Sequence, residues 1–406
     1  MKIDTKNFLL ENCIYGNHFK KKLYLKDKIK LNKNIEKIYS NLDSKKDTFH
    51  SLSKKFILNI DKKKLEKFKK YKSVILIGMG GSSLGAHAIY SFLRQRVSRK
   101  FIFIDNLDQL KIEETKKKLN LRNSLFIIIS KSGSTIETLV NSNLLSNKIS
   151  SKNTIIITEK KNNLLNMFAK NKKILHVEHK HYIGGRYSVL SEVGMIPAYF
   201  MGLKINNLRK KIDFFLKLKK KLFLVDSTIK LAHIYNLKKI KSIILLNYAP
   251  ELNEFLYWCQ QLIAESLGKK GKGILPIVSP VPRDHHSLMQ LYLDGPRDKL
   301  FYVFSLSGKK NMKTKKNIFR KYFNFAENKH LTEIIESQRK ALVQVFKKKN
   351  IPYREFKIKS LNEEILGELF SYFMLETALI GKSININPFD QPAVEEVKIL
   401  TKQYLG

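Results

Sequence analysis

The chain has 406 residues, 43% of them hydrophobic and 11% aromatic, and 77 lysine and arginine residues against 35 acidic ones give it a formal net charge of +42. This composition excludes a disordered protein, and the longest apolar runs reach only about half the length of a membrane-spanning helix. Only 11 of the basic residues are arginine, the residue that proteins reading nucleic acid depend on, and lysine is spread along the whole chain, so we expect neither a nucleic-acid nor a membrane partner.

Residues 1–70 are polar and rich in lysine, and we predict that they form a helical N-terminal extension. The segment Met1–Lys22 lacks the positive start and apolar stretch of a signal peptide, so we expect a cytoplasmic protein. Cys13 and Cys259 lie far apart in sequence, which argues against a disulfide framework.

From about residue 71 the pattern alternates between short apolar runs and longer amphipathic segments. Strands are predicted at 73–77, 101–104, 124–129 and 154–158, and helices at 84–97, 108–119, 135–148, 161–170 and 186–203. Such an alternation is typical of a parallel sheet covered by helices on both faces.

A lysine-rich segment at 208–222 is predicted to mark the crossing to a second domain, after which the pattern restarts. Strands are predicted at 242–247, 274–278, 300–305 and 354–358, and helices at 251–267, 286–294, 330–348, 361–381 and 390–404. We therefore predict an α/β fold with two doubly wound parallel-sheet subdomains of three layers (α/β/α). The predicted boundaries are 1–70 for the N-terminal extension, 71–207 and 208–384 for the two subdomains, and 385–406 for a C-terminal helix that packs on the active site.

Two small-residue loops follow predicted strands directly. Residues 78–85 read Gly-Met-Gly-Gly-Ser-Ser-Leu-Gly, and residues 130–138 read Ser-Lys-Ser-Gly-Ser-Thr-Ile-Glu-Thr. Free backbone N–H groups at the start of a helix, with hydroxyl donors beside them, suit a phosphate group. The hydroxyls of the second loop argue against a dinucleotide fold, whose fingerprint is a single Gly-rich turn. The alternatives are a tight strand–helix turn for the first loop and a helix cap for the second.

Two further segments place charged residues among apolar ones. Arg186 follows Gly184 and Gly185 and precedes an apolar stretch, where a cation is costly unless it faces an anion or a developing negative charge. Gln261 and Glu265 are four residues apart and share one face of a predicted helix, where Glu265 is a candidate general base. A structural carboxylate partner for Arg186 and a solvated Glu265 near a helix end remain the alternatives.

The last candidate site segments are the His285-His286 pair and the C-terminal helix, in which Gln391 and Lys398 lie two turns apart. Neighbouring histidines rarely hold one ion together, and no Cys or His stands at zinc spacing around them, so we expect no metal.

Taken together and in this order, these segments resemble the phosphoglucose isomerase family, which is built from two sugar-isomerase (SIS) subdomains. The resemblance covers about residues 70–400, and its most specific parts are Gly-Gly-Arg-Tyr-Ser at 184–188, Gln-x-x-x-Glu-Ser-x-Gly-Lys at 261–269 and Phe-Asp-Gln with the later Lys398. Leu267, Ser132, Ser134 and Pro392 depart from the family's usual residues.

The resemblance implies a reaction and a set of roles. The reaction is the interconversion of glucose 6-phosphate and fructose 6-phosphate, in glycolysis and gluconeogenesis, by ring opening and a cis-enediol(ate), without a cofactor. Glu265 matches the base between C1 and C2, His286 the ring-opening histidine (His285 is the alternative), Lys398 the lysine at the ring oxygen and Arg186 the arginine that stabilises the enediolate. The substrate and phosphate contacts implied by the resemblance are Gly81, Ser82, Ser130, Lys131, Ser132, Thr135, Thr138, Gly185, Gln261 and Gln391.

The resemblance also implies a homodimer whose partner contributes the ring-opening histidine. Three other functions stay open at this point: a dual glucose/mannose phosphate isomerase, an amino-sugar phosphate isomerase and a non-catalytic SIS regulator that binds a sugar phosphate.

Overall fold

A computed structural model describes residues 1–15, 21–118, 120–307, 312–315 and 324–406 of the chain. The strands among these residues are β1 (Lys2–Asp4), β2 (Phe8–Cys13), β3 (Ser73–Gly78), β4 (Lys100–Ile104), β5 (Ser124–Ile129), β6 (Thr154–Thr158), β7 (Leu175–Glu178), β8 (Ser242–Asn247), β9 (Leu275–Pro280), β10 (Lys299–Leu306) and β11 (Tyr353–Ile358). Each predicted strand is present within two residues of its predicted bounds, whereas β1, β2 and β7 were not predicted.

The helices among the described residues are α1 (Lys21–Asn41), α2 (Lys62–Glu66), α3 (Leu84–Phe92), α4 (Gln109–Lys118), α5 (Ile136–Leu144), α6 (Leu164–Asn171), α7 (Glu192–Phe200), α8 (Ile205–Arg209), α9 (Leu218–Leu237), α10 (Asn253–Leu267), α11 (Arg283–Ser287), α12 (Met289–Asp294), α13 (Leu331–Lys348), α14 (Glu363–Ser383) and α15 (Val394–Tyr404). Helices α3 and α5 end earlier than predicted because 3₁₀ turns at Arg94–Arg96 and Ser146–Lys148 follow them closely. No helix of the described segments combines the length and the apolar character needed to cross a membrane.

The first sheet has the strand order β4-β3-β5-β6-β7, and all its pairs are parallel. Strand β5 is buried along its whole length, as expected for a parallel strand covered by helices on both faces. After β3 the chain crosses to β4 on one side, and after β5 it crosses to β6 on the other. The point where the strand order reverses therefore lies between β3 and β5, and ligands of doubly wound sheets bind at such a point.

The second sheet has the order β1-β2-β11-β10-β8-β9, in which β11, β10, β8 and β9 are parallel and β2 pairs antiparallel with β11. The prediction of a purely helical N-terminal extension is therefore wrong for residues 2–13, although α1 and α2 are helical. Phe8, Leu10 and Asn12 are buried while Leu9 and Glu11 are less so, which is the alternation of a strand with one face on a core. The sequence Phe-Leu-Leu-Glu-Asn-Cys does not itself alternate between apolar and polar residues, so this short strand could not be read from it.

The C-terminal helix differs from its prediction. Every residue from 391 to 406 is exposed, so α15 does not pack on the active site in a single chain. Its apolar side chains Val397, Leu400 and Tyr404 are 65%, 43% and 86% exposed. Burial in this part of the chain is confined to the residues before the helix, where Ile386 and Pro388 are buried.

A buried carboxyl group on α14 gives the fold a specific pH dependence. Glu368 has no exposed surface, its Oε1 accepts a hydrogen bond from Asn7 Nδ2 at 3.0 Å, and the Lys211 ammonium lies 3.7 Å away. Burial outweighs these partners and raises the pKa of Glu368 from 4.5 to about 7. The folded state then holds a proton that the unfolded state releases between pH 4.5 and 7, so the free energy of unfolding falls as the pH rises through this range.

We expect Glu368→Gln to raise the free energy of unfolding at pH 8 by on the order of 1–3 kcal/mol, because a neutral amide removes the cost of the buried charge. The gain should disappear at about pH 4.5, where Glu368 is protonated in the folded state. Urea unfolding at both pH values measures the difference. Glu364→Gln is the matched control on the same helix: Lys210 and Lys211 lower the pKa of Glu364, so its replacement should not stabilise the protein at pH 8. Equal unfolding free energies for wild type and Glu368→Gln at pH 8 would contradict the expectation.

Candidate active site

Three of the predicted site segments meet beside the first sheet, at the carboxyl end of β3: the 78–85 loop, the 184–186 turn and the face of α10 that carries Gln261. A Cβ atom on Gly81 would lie 2.3 Å from the carbonyl carbon of Gly185, so the two glycine loops touch backbone to backbone. Gly80 has a φ of +52°, and a Cβ there would lie 2.8 Å from Nε2 of Gln261. Only glycine permits this approach of the 78–85 loop to both the 184–186 turn and α10.

Glu265 lies between two hydrogen-bond donors near the end of α10. Nε2 of Gln261, one turn earlier, donates to Oε2 of Glu265 at 3.1 Å, and Nη1 of Arg186 lies 3.4 Å from Oε1. The Glu265 side chain is 26% exposed, so a ligand can reach it. Oε1 of Gln261 is buried without a hydrogen-bond partner among the described residues.

Arg186 is 2% exposed and contacts protein with every edge of its guanidinium group. Nε donates to Oγ of Ser266 at 2.8 Å, and Nη2 donates to the carbonyl oxygens of Pro388 at 2.7 Å and Asp390 at 3.0 Å. Nη1, which faces Glu265, donates to Oε1 of Gln391 at 2.9 Å. The structure thus brings together Arg186, Gln261, Glu265 and Gln391, four residues from three distant parts of the sequence.

The 130–138 loop closes on itself after β5. Oγ of Ser130 and Oγ1 of Thr135 lie 2.9 Å apart, and the backbone N–H of Ser134 donates to Oγ of Ser132 at 3.3 Å. Ser132 is exposed at the loop's outer side, whereas Thr138 has no exposed surface. The hydroxyl of Thr138 has no hydrogen-bond partner within the described part of the chain, and it does not line the loop surface.

Lys131 has a partner that sequence reasoning missed. Oε1 of Glu159, just after β6, lies 3.7 Å from the Lys131 ammonium, and the backbone N–H of Glu159 donates to the Lys131 carbonyl at 3.2 Å. Burial lowers the pKa of Lys131, and Glu159 opposes that effect. No sequence pattern links Lys131 to Glu159, because the contact depends on β5 and β6 being neighbours.

The two histidines lie on α11, which follows strand β9 of the second sheet. Nε2 of His285 is 2.7 Å from the Tyr248 hydroxyl, and burial lowers the pKa of His285. His286 is exposed. His285 is thus already engaged, and the exposed His286 is the imidazole that a neighbouring molecule can reach.

Lys398 is paired within its own helix. Its ammonium group pairs with Oε1 of Glu395, one turn earlier on α15, at 2.7 Å, and both side chains are about 60% exposed. The described residues contain no group of three or more His, Cys, Asp or Glu side chains that could hold a metal ion.

Comparison with known proteins gives a consistent result. The model of the family described as phosphoglucose isomerase matches residues 28–274. A glucose-6-phosphate isomerase of Methanocaldococcus jannaschii is 32% identical over 374 residues, covering 89% of this chain and 91% of that protein. A glucose-6-phosphate isomerase of Campylobacter jejuni is 32% identical over 354 residues, covering 82% and 86%.

Solved structures support the fold. A hypothetical protein from Thermus thermophilus superimposes with a TM-score of 0.80 at 23% identity, covering 95% of this chain and 98% of its own. A glucose-6-phosphate isomerase from Chlamydia trachomatis also gives a TM-score of 0.80, at 18% identity, covering 100% and 89%. The family match spans more than half of the chain, and the relatives align over most of its length. The chain belongs to the phosphoglucose isomerase family.

Proposed function

We propose that the protein interconverts glucose 6-phosphate and fructose 6-phosphate. The observation that carries this proposal is the position of Glu265, a partly accessible carboxylate held between Gln261 and Arg186 and next to the glycine loop that follows β3. Moving a carbonyl group by one carbon needs a base that reaches both carbons and a fixed cation near the developing oxyanion. The relatives' names agree with this assignment.

Glu265 acts as the base in this proposal. Its carboxylate removes the proton from C2 of the open-chain aldose and returns it to C1, and the reverse reaction uses the same two steps. Gln261 holds one carboxylate oxygen by its hydrogen bond, which leaves the other oxygen on the side of Arg186. A base oriented in this way can serve both carbons without moving its backbone.

Arg186 stabilises the enediolate through Nη1. The Nε and Nη2 groups are committed to Ser266 and to two backbone carbonyls, so only the Nη1 edge can turn to a ligand. Nη1 donates to the amide oxygen of Gln391 in this structure. We propose that a substrate oxygen takes this position and that Gln391 then turns to a sugar or phosphate contact.

The phosphate group binds at the two small-residue loops and supplies binding energy that orients the reacting end of the sugar. We assign this role to Gly81, Ser82, Ser130, Lys131, Ser132, Thr135 and Gly185. Thr138 supports the loop from inside α5, because its hydroxyl is buried.

In this proposal, residues that are exposed on a single chain complete the active site of a second copy. We propose a homodimer in which His286 of a second copy opens the sugar ring, and in which α15 docks through its apolar side so that Lys398 reaches the ring oxygen. The exposure of His286 and of Val397, Leu400 and Tyr404 supports this arrangement. We retain two SIS subdomains divided near residue 208 and a cytoplasmic location as parts of the proposal.

The direct test is to supply fructose 6-phosphate to the purified protein and to follow glucose 6-phosphate through a coupled dehydrogenase. Formation of glucose 6-phosphate at enzymatic rates supports the proposal. Equal turnover of mannose 6-phosphate would favour the dual isomerase. Binding of fructose 6-phosphate without any turnover would overturn the proposal in favour of a sugar-phosphate-binding regulator.

If each active site is shared between the two copies of a dimer, two inactive variants should restore activity when they form mixed dimers. When Glu265→Gln and His286→Asn chains are co-expressed, random pairing makes about half of the dimers mixed, and each mixed dimer carries one intact site, so about a quarter of wild-type activity should return. Co-expression of Glu265→Gln with Arg186→Lys is the matched control. Both residues belong to the same copy's site, so every mixed dimer has two damaged sites and no activity should return. Activity that stays absent in the first mixture would place His286 and Glu265 in one chain.

A further inference from the structure

The segment Asn387–Gln391, here called the C-terminal strap, connects α14 to α15 and carries Gln391 to Arg186. It is held by aromatic packing, since the Phe389 ring lies 5.7 Å from Phe49 and 5.4 Å from Tyr187 between ring centres. The strap is also turned on itself, because Nδ2 of Asn387 donates to Oδ2 of Asp390 at 2.9 Å.

Lys269 makes a second attachment to the strap, from the end of α10. Its ammonium group donates to the carbonyl oxygen of Asn387, to the carbonyl oxygen of Asp390 at 2.7 Å and to Oδ1 of Asp390 at 2.8 Å. A lysine ammonium has three N–H donors, so all of them are used on the strap. The Lys269 side chain is 10% exposed, and its hydrogen bond lowers the pKa of the Asp390 carboxyl.

The attachment joins two parts of the candidate site. Lys269 follows Glu265 by four residues, just beyond the end of α10, and the strap residue Asp390 directly precedes Gln391. Lys269 therefore fixes the start of the strap relative to the same helix that carries Glu265. Arg186 also donates to a strap carbonyl that Lys269 uses, that of Asp390.

We infer that Lys269 is a positioning residue for the isomerase reaction, one that keeps Gln391 beside Arg186 and within reach of a bound substrate by clamping the strap to the end of α10. This inference rests on the proposed function. Phe389 would keep the strap near the core without Lys269, so the loss of the clamp should loosen Gln391 rather than unfold the chain. Displacements of about 1 Å at a catalytic site can cost up to 10²-fold in rate.

The test compares Lys269→Met with wild type in the fructose 6-phosphate assay and in thermal unfolding. We expect kcat/KM to fall roughly tenfold or more, with little change in Tm. Asp390→Ala removes one of the three acceptors and should cost less than Lys269→Met. Lys269→Arg keeps a cation that can reach the carbonyl oxygens and should recover part of the loss. If Lys269→Met fails to fold, Lys269→Arg takes its place in the comparison with wild type.

A double-mutant cycle with Gln391→Leu separates positioning from general support. If Lys269 acts through Gln391, the double variant should be no slower than Gln391→Leu alone. Additive losses, or a lowered Tm with unchanged kcat/KM in Lys269→Met, would overturn the inference. Absence of isomerase activity in wild type would instead overturn the proposed function, so the two failures are distinguishable.

Discussion

Replacing Glu265 by Gln is expected to lower kcat about 10³-fold, within the range that general-base catalysis supplies. Glutamine has nearly the same shape as glutamate but cannot remove a proton from carbon. Gln261 can still donate to the remaining amide oxygen, so the local structure should persist. Coupled assays with fructose 6-phosphate measure the rate, and equilibrium binding of the same sugar phosphate should change by less than about tenfold.

Glu254→Gln is the matched control for this experiment. Glu254 lies on the same helix as Glu265, in its first turn, and it is 23% exposed, close to the 26% of Glu265. Glu254 approaches His87 and precedes Glu265 by more than two turns along α10. Near-wild-type activity in Glu254→Gln and loss in Glu265→Gln would assign the base to one carboxylate. Turnover that survives in Glu265→Gln would move the base to another residue.

Among the described residues, sequence patterns located eight of the nine parallel strands but missed the parallel edge strand β7 and the antiparallel strands β1 and β2. Strand β5 and its neighbours are continuous apolar runs bounded by turn residues, so their limits can be read directly. Strand β7 has only four residues at an edge, and two of them are His176 and Glu178, which gives too short and too polar a pattern. Strand β2 alternates in burial but not in sequence, because Leu9 stands on its less buried face and Asn12 on its buried face.

The residues of the candidate site could be named from the sequence, but their contacts with one another could not. Arg186 stood out because a cation in a Gly-rich and apolar segment is costly without a partner, and Gln261 and Glu265 because they share one helix face. The role of Gln391 came only from the family resemblance. The sequence did not reveal Glu159 or the role of Lys269, because both contacts join residues that meet only through the tertiary fold. Lys269 ends one of the motifs that carry the family resemblance, but its contacts with the strap could not be read from that motif. We propose that the position of α15 depends on a partner surface, which the sequence of one chain does not display.

Arg186→Lys is expected to lower kcat about 10²- to 10³-fold, the usual cost of losing a donor at a developing oxyanion. A lysine has three N–H donors instead of five and lacks the planar fork that reaches Ser266, the strap and Gln391 together. The carbonyl groups of Pro388 and Asp390 would each lose one donor but keep another, the Tyr187 hydroxyl and the Lys269 ammonium respectively. The free energy of unfolding should therefore also fall, by on the order of 1 kcal/mol for each hydrogen bond lost. Steady-state kinetics and urea unfolding measure the two effects.

Arg209→Lys separates the two effects, because Arg209 is a partly buried arginine that also donates to backbone carbonyls. It donates to the carbonyl oxygens of Ser51 at 2.8 Å and Ser53 at 3.1 Å, and its contacts do not include Glu265. We expect Arg209→Lys to destabilise the protein to a similar degree while kcat changes by less than about threefold, since the substitution removes no donor from the oxyanion. If both variants lost activity in proportion to their stability, Arg186 would be a structural residue. A selective loss of kcat in Arg186→Lys would instead mean that the Nη1 edge, which donates to Gln391 in this structure, serves the transition state.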